Sequence, residues 1–163
     1  MSNPVHLIVT PTEGSNLSRA IGETHRRYTR YINFREGWRG YLWQGRFSSF
    51  PMDERYLIAA ASYVELNPVK ARRVREAWEY RWSSVHAHIA GANDEIVDVE
   101  PLLKIVGDWK TFLKRMKNQQ VEKIEKHEKT GRPLGDELFM NKISKMVGRD
   151  LKPKKPGPKV KGN

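Results

Sequence analysis

Three polar side chains stand where chemistry could begin. His6 lies in the apolar run Val5-His6-Leu7-Ile8-Val9, and an imidazole is a common metal ligand. Tyr63 and Asn67 are four residues apart in a segment with helical apolar spacing, so they share one helix face. A phenol oxygen is a nucleophile when the group it attacks is polarised by a metal ion. Each also has an ordinary structural role: a histidine in an apolar strand is commonly structural, and a tyrosine at that spacing is commonly a core or rim aromatic.

A second set of side chains points to a polyanion. Arg19, Arg26, Arg27, Arg30, Arg46, Arg55, Lys70, Arg72, Arg73 and Arg75 are candidate phosphate contacts, and Trp43, Phe47 and Tyr31 are candidates to stack on unpaired bases. The formal net charge is +11, from 30 basic and 19 acidic side chains. Such an excess favours nucleic acid through counterion release and steering, although it also serves solubility alone. Residues 151–163 add Lys152, Lys154, Lys155, Lys159 and Lys161 without an acid, the composition of a disordered basic tail that acts as an electrostatic arm. Cysteine is absent, which excludes disulfides, thiolate catalysis and cysteine-based zinc sites. No apolar run is long enough to span a bilayer and no signal peptide is evident, so the expectation is a cytoplasmic protein with no membrane partner.

These residues need elements to hold them. Val5–Val9 reads as a buried strand, ended by Pro11 and Gly14. Ser15 or Asn16 caps a helix to about Asn33, with Leu17, Ile21, Tyr28 and Ile32 on its apolar side. Residues 41–50 read as an aromatic, partly alternating strand. Asp53 begins a helix to about Leu66, with Leu57, Ala61 and Val64 on one face, and Asn67-Pro68 stops it. A composition change near Gly91 divides a core of residues 1–90 from a helical appendage of residues 91–150, with helices at about 100–106, 108–128 and 134–147.

Several segments, taken in order, resemble the REP-associated tyrosine transposases of the single-tyrosine HUH superfamily. They are residues 1–11 with His6, Arg27-Tyr28-Thr29-Arg30-Tyr31-Ile32-Asn33, Leu42-Trp43-Gln44-Gly45-Arg46-Phe47, Tyr63-Val64-Glu65-Leu66-Asn67-Pro68-Val69-Lys70-Ala71, Trp82-Ser83-Ser84, Gly131-Arg132-Pro133-Leu134-Gly135 and the run from Val147 to Gly157. The resemblance covers nearly all of the chain and matches the C-terminal two-thirds of such a transposase. It implies an α/β (α+β) fold: an incomplete ferredoxin-like core with an antiparallel sheet, followed by the helical appendage and tail. It implies single-strand DNA cleavage and rejoining through a 5′-phosphotyrosine, on single-stranded DNA or DNA hairpins of repeat elements, with a Mg or Mn cation and a homodimer. Tyr63 matches the nucleophile, His6 the second histidine of the metal pair, and Asn67 a third ligand or phosphate contact.

Two departures bear on activity. Pro4 stands where the family has its first metal-binding histidine, and proline offers neither a side-chain ligand nor a backbone N–H. The family's N-terminal core segment has no counterpart before Val5, so the expected sheet lacks a strand. Three readings follow: a transposase-type strand-transferase impaired by these changes, a catalytically inactive single-stranded DNA or hairpin-binding remnant, and an RNA-binding or structural protein.

Overall fold

In the computed structural model, which describes residues 4–12, 16–116 and 130–151, every regular element is a helix. The chain forms two compact units, Val5–Ser49 and the chain from Phe50 onward. The first unit is organised by helix α1, Leu17–Glu36. Its start is set by Asn16, whose Oδ1 accepts the Arg19 N–H at 2.9 Å, satisfying one of the donors a helix N-terminus leaves open. Its end is Gly37, at φ +67°, a left-handed turn that costs glycine no Cβ clash. Ile32 is buried, and Asn33 Nδ2 donates to the Gly40 carbonyl at 3.0 Å.

The second unit is built around α2, Glu54–Lys70. Asp53 caps it, accepting the Tyr56 N–H on Oδ1. α2 is apolar on two sides. Ala61 and Leu66 belong to a cluster with Ala77, Val85, Leu102, Trp109 and Leu113. Those partners lie in and around a short 3-10 turn (Ala77–Glu79), α3 (Val85–Ala90), α4 (Glu100–Leu103) and α5 (Trp109–Met116). Ala60 and Tyr63 face a second cluster with Leu134, flanked by Phe50, Met52, Tyr56 and Val64. Burying each large aliphatic side chain contributes about 1.5–3 kcal/mol, and the two faces together fix α2 as the central element of this unit. Helix α6, Glu137–Val147, follows Asp136, whose Oδ1 accepts the Phe139 N–H at 2.9 Å.

The expected ferredoxin-like core and its antiparallel sheet are absent from the described residues, which contain no β-strand. The nearest approach to one is an isolated parallel bridge between Met52 and Leu134. Residues 5–9 form no strand, and Val5, Leu7 and Val9 are largely exposed. Residues 42–46 form bends rather than a strand. The physical reason is pairing. A strand becomes stable when its N–H and C=O groups bond to neighbours, and neither segment finds a neighbouring strand among the described residues. The sheet-based transposase resemblance is corrected by this fold.

Smaller corrections follow the same logic of context over local signal. α2 runs through Asn67-Pro68 to Lys70, because a proline near the last turn forfeits one bond while the buried faces on either side hold the helix. Of the helix expected at 108–128, Trp109–Met116 is seen and the rest lies outside the described residues, as does the basic tail beyond Leu151. Among the described residues no helix is long and apolar enough to cross a membrane.

Candidate nucleic-acid interface

The transposase resemblance assigns Tyr63, Asn67 and His6 to cutting and rejoining DNA. Tyr63 and Asn67 lie one turn apart on α2, while His6 belongs to the Val5–Ser49 unit. The Tyr63 ring is buried beside Ala60 and Leu134, and the Lys70 ammonium sits 4.9 Å from its centre in a cation–π contact. A nucleophile must meet an incoming phosphodiester, and a ring packed into a core does not. Among the described residues no three His, Cys, Asp or Glu side chains come together as a cation site. With Pro4 in place of a ligand, His6 and Asn67 do not fit a Mg or Mn centre. The implied cofactor, and with it the phosphotyrosine reaction, are corrected.

Each unit also carries an open groove lined in part by arginine. On α1 a groove of about 570 Å³ is lined by Ser18, Arg19, Gly22, Glu23, Arg26 and Arg27. In the second unit an open groove of about 830 Å³ is lined by Val69, Arg72, Arg73, Val74, Arg75 and Glu79. Exposed aromatics flank the arginines of the first unit: Phe34 is 91% exposed, Tyr41 100% and Trp38 60%, with Tyr28 and Tyr31 about half exposed. Of the base-stacking candidates, Tyr31 stays in this exposed group, with Arg35 5.5 Å from its ring centre. Trp43 turns back onto α1. It stacks on the His25 ring at 3.9 Å, and its indole N–H donates to the His25 carbonyl. Phe47 is half-buried. Phe34, Trp38 and Tyr41 were not singled out by sequence, although their place at and just beyond the end of an arginine-rich helix was the available signal.

Not every arginine is equally available. Glu23 accepts two hydrogen bonds from Arg26 (Nε and Nη2, both 2.7 Å) and one from Arg27 Nε at 2.8 Å. Those bonds, Arg26 first and Arg27 second, pull the Glu23 carboxyl down to about 2. The contribution this makes to α1 is therefore fully present above the ordinary value of 4.5 and is lost as pH falls through about 2. A carboxyl-carbon titration should place the Glu23 midpoint near 2 and move it back toward 4.5 in Arg26→Gln. Glu23 thus occupies both guanidinia, and Glu23→Gln should weaken their hold on the α1 surface. Arg35 is similarly tied to Glu36 at 2.6 Å, and Arg55 lies 3.8 Å from Asp136. Arg19, Arg30 and Arg46 make no ion pair with a described residue.

The most elaborate polar cluster was not anticipated. Glu65 is 1% exposed, and its carboxylate gathers three partners. Ser84 Oγ donates to Oε1 at 2.6 Å, His88 Nδ1 meets the same oxygen at 2.6 Å, and the Trp109 indole N–H donates to Oε2 at 2.7 Å. The serine hydroxyl is spent on the carboxylate rather than on the imidazole, so the group lacks the serine–base contact that nucleophilic catalysis needs. Its work is to tie α2, α3 and α5 together. The described residues are thus helical, with a hydrogen-bonded carboxylate buried in the second unit and a groove lined by arginines on each unit. No protein-family model matches the chain, and neither does any curated protein or solved structure.

Proposed function

We propose that this protein is a non-catalytic binding module for the phosphate backbone of nucleic acid, favouring single-stranded segments. The observation that carries the reading is that both units present an open groove walled by arginines, at +11 net charge. Guanidinium groups bind phosphate oxygens in bidentate fashion. The exposed Tyr31, Phe34, Trp38 and Tyr41 beside the α1 arginines support the single-stranded preference, since every unpaired base offers a face for stacking. Neither strand cleavage nor a metal ion enters this reading. DNA and RNA share the backbone chemistry and are distinguished by experiment. Cytoplasmic residence accompanies such a partner.

The test is fluorescence anisotropy with one sequence presented as single-stranded DNA, single-stranded RNA and duplex DNA, across a salt series. With about four phosphate contacts to a single strand, affinity should fall roughly 50-fold between about 50 and 200 mM salt. Single strands should bind more tightly than duplex, and Phe34→Ala with Tyr41→Ala should remove that preference. Folded protein that fails to bind at low salt, or binds without salt dependence, overturns the proposal. A clear preference for RNA or DNA names the source of the backbone.

A further inference from the structure

The turn that ends α2 holds a residue of the wrong kind for its backbone. The Ala71 N–H donates to the Asn67 carbonyl at 2.8 Å, that of Arg72 to Val69 at 2.9 Å, and that of Arg73 to Pro68 at 2.9 Å. The last two are the paired bonds of a Schellman turn, whose left-handed position is normally glycine. Here that position is Arg72, at φ +53°, the single non-glycine residue with positive φ among the described residues. The left-handed conformation crowds the Cβ of an L residue against its own backbone, and glycine would avoid the crowding. Strain held at one position, where an unstrained residue is available, points to a use for the side chain.

The surroundings give that use a chemistry. Arg72, Arg73 and Arg75 line one groove with Val69, Val74 and Glu79. Neither Arg72 nor Arg73 forms an ion pair with a described residue. The one carboxylate in the wall, Glu79, is directed to backbone: its Oε2 accepts the N–H groups of Arg75 at 2.9 Å and Glu76 at 3.2 Å. The carbonyls of Asn67, Pro68 and Val69, which would repel an anion at a helix C-terminus, are occupied by the turn itself.

We propose that this groove is a phosphate-binding site in its own right, and that the left-handed backbone at Arg72 is retained because it places the Arg72 guanidinium beside that of Arg73. The proposal deepens the nucleic-acid reading by assigning one phosphate-recognition point within it. It survives on its own if the α1 groove contributes nothing.

The experiment compares full-length protein with R72G and R73Q, using inorganic pyrophosphate and a single-stranded thymidine 12-mer as separate probes, with thermal unfolding alongside. R72G removes the side chain and relieves the backbone, so its midpoint should rise by a few degrees while affinity for both probes falls about tenfold. R73Q should weaken both probes similarly with no change in melting. An R72G protein that binds as tightly as the parent overturns the site, and one that melts lower overturns the strain argument. Binding of the 12-mer without pyrophosphate binding, lost in R72G, assigns the site to backbone phosphodiesters. Pyrophosphate binding alone assigns it to free phosphate compounds. A third protein, with Arg26 and Arg27 both changed to Gln, separates the two readings: if it loses all 12-mer binding while the R72G effect on pyrophosphate persists, the phosphate site stands and the nucleic-acid interface rests on α1.

Discussion

Replacing Glu65 with alanine should cost about 3–5 kcal/mol, a large share of the roughly 5–15 kcal/mol that holds a domain folded. The carboxylate is 1% exposed, and its three donors come from Ser84, His88 and Trp109. Alanine leaves all three buried or half-buried donors without their acceptor, and it opens a void between α2, α3 and α5. Each stranded donor bears its own desolvation penalty, which is why the loss exceeds that of one ordinary hydrogen bond. Glutamine should be far milder. Its amide oxygen can face the Trp109 N–H, which can only donate. Its NH2 group then faces Ser84 Oγ and His88 Nδ1, both of which can accept, the imidazole by taking its other tautomer. Urea unfolding should therefore rank the parent first, Glu65→Gln second at a cost of about 1 kcal/mol, and Glu65→Ala well below. An alanine variant within about 1 kcal/mol of the parent would show that the network carries little of the fold. Trp109→Phe keeps most of the buried ring and removes only the donor. In a double-mutant cycle with Glu65→Gln it should show coupling of about 0.5–3 kcal/mol, as residues sharing a hydrogen bond do.

The sequence displayed one half of this network and hid the other. Glu65 falls four residues after Ala61, on a face that otherwise reads as apolar, and a lone carboxylate there is the mark of a buried, satisfied acid. Its partners lie 19, 23 and 44 residues away, and no local pattern announces them. The helices themselves were legible at their caps. Asn16 and Asp53 carry the side-chain acceptors that start α1 and α2, and their spacing of apolar residues is helical. That no sheet forms among the described residues was not legible, because an apolar run such as Val5–Val9 has the same composition whether or not a neighbour pairs with it. The transposase resemblance rested on these segments together with Tyr63. Once Val5, Leu7 and Val9 are exposed rather than paired in a sheet and the Tyr63 ring is buried, the chemistry assigned to these segments loses its geometry. The surface arginines were visible as charge. Their availability was not, since it depends on Glu23 gripping Arg26 and Arg27 and on a left-handed turn at Arg72.

Leu134→Ala should cost about 2–5 kcal/mol, with its effect concentrated in the segment that carries α6. Leu134 is 4% exposed and fills the cluster of Ala60 and Tyr63 on α2. It anchors its segment to α2 through side chain and backbone together. The Leu134 N–H donates to the Pro51 carbonyl at 2.9 Å, and the Asp53 N–H donates to the Leu134 carbonyl at 3.0 Å. Asp53 adds a third link, because Oδ1 caps α2 while Oδ2 accepts the Asp136 N–H at 2.9 Å. α6 contributes little of its own, with Leu138 80% exposed, Met146 73% exposed and no fully buried residue. Removing the Leu134 side chain should therefore release residues 134–147 before the rest unfolds, a local opening of the kind hydrogen exchange detects. Amides of α6 should exchange much faster in Leu134→Ala, while those of α5, packed around Trp109 and Leu113 on the far cluster, should keep most of their protection. Uniform acceleration across both helices would mean that the two faces of α2 unfold as one cooperative unit. It would also place Leu134 in the common core rather than at a separable joint.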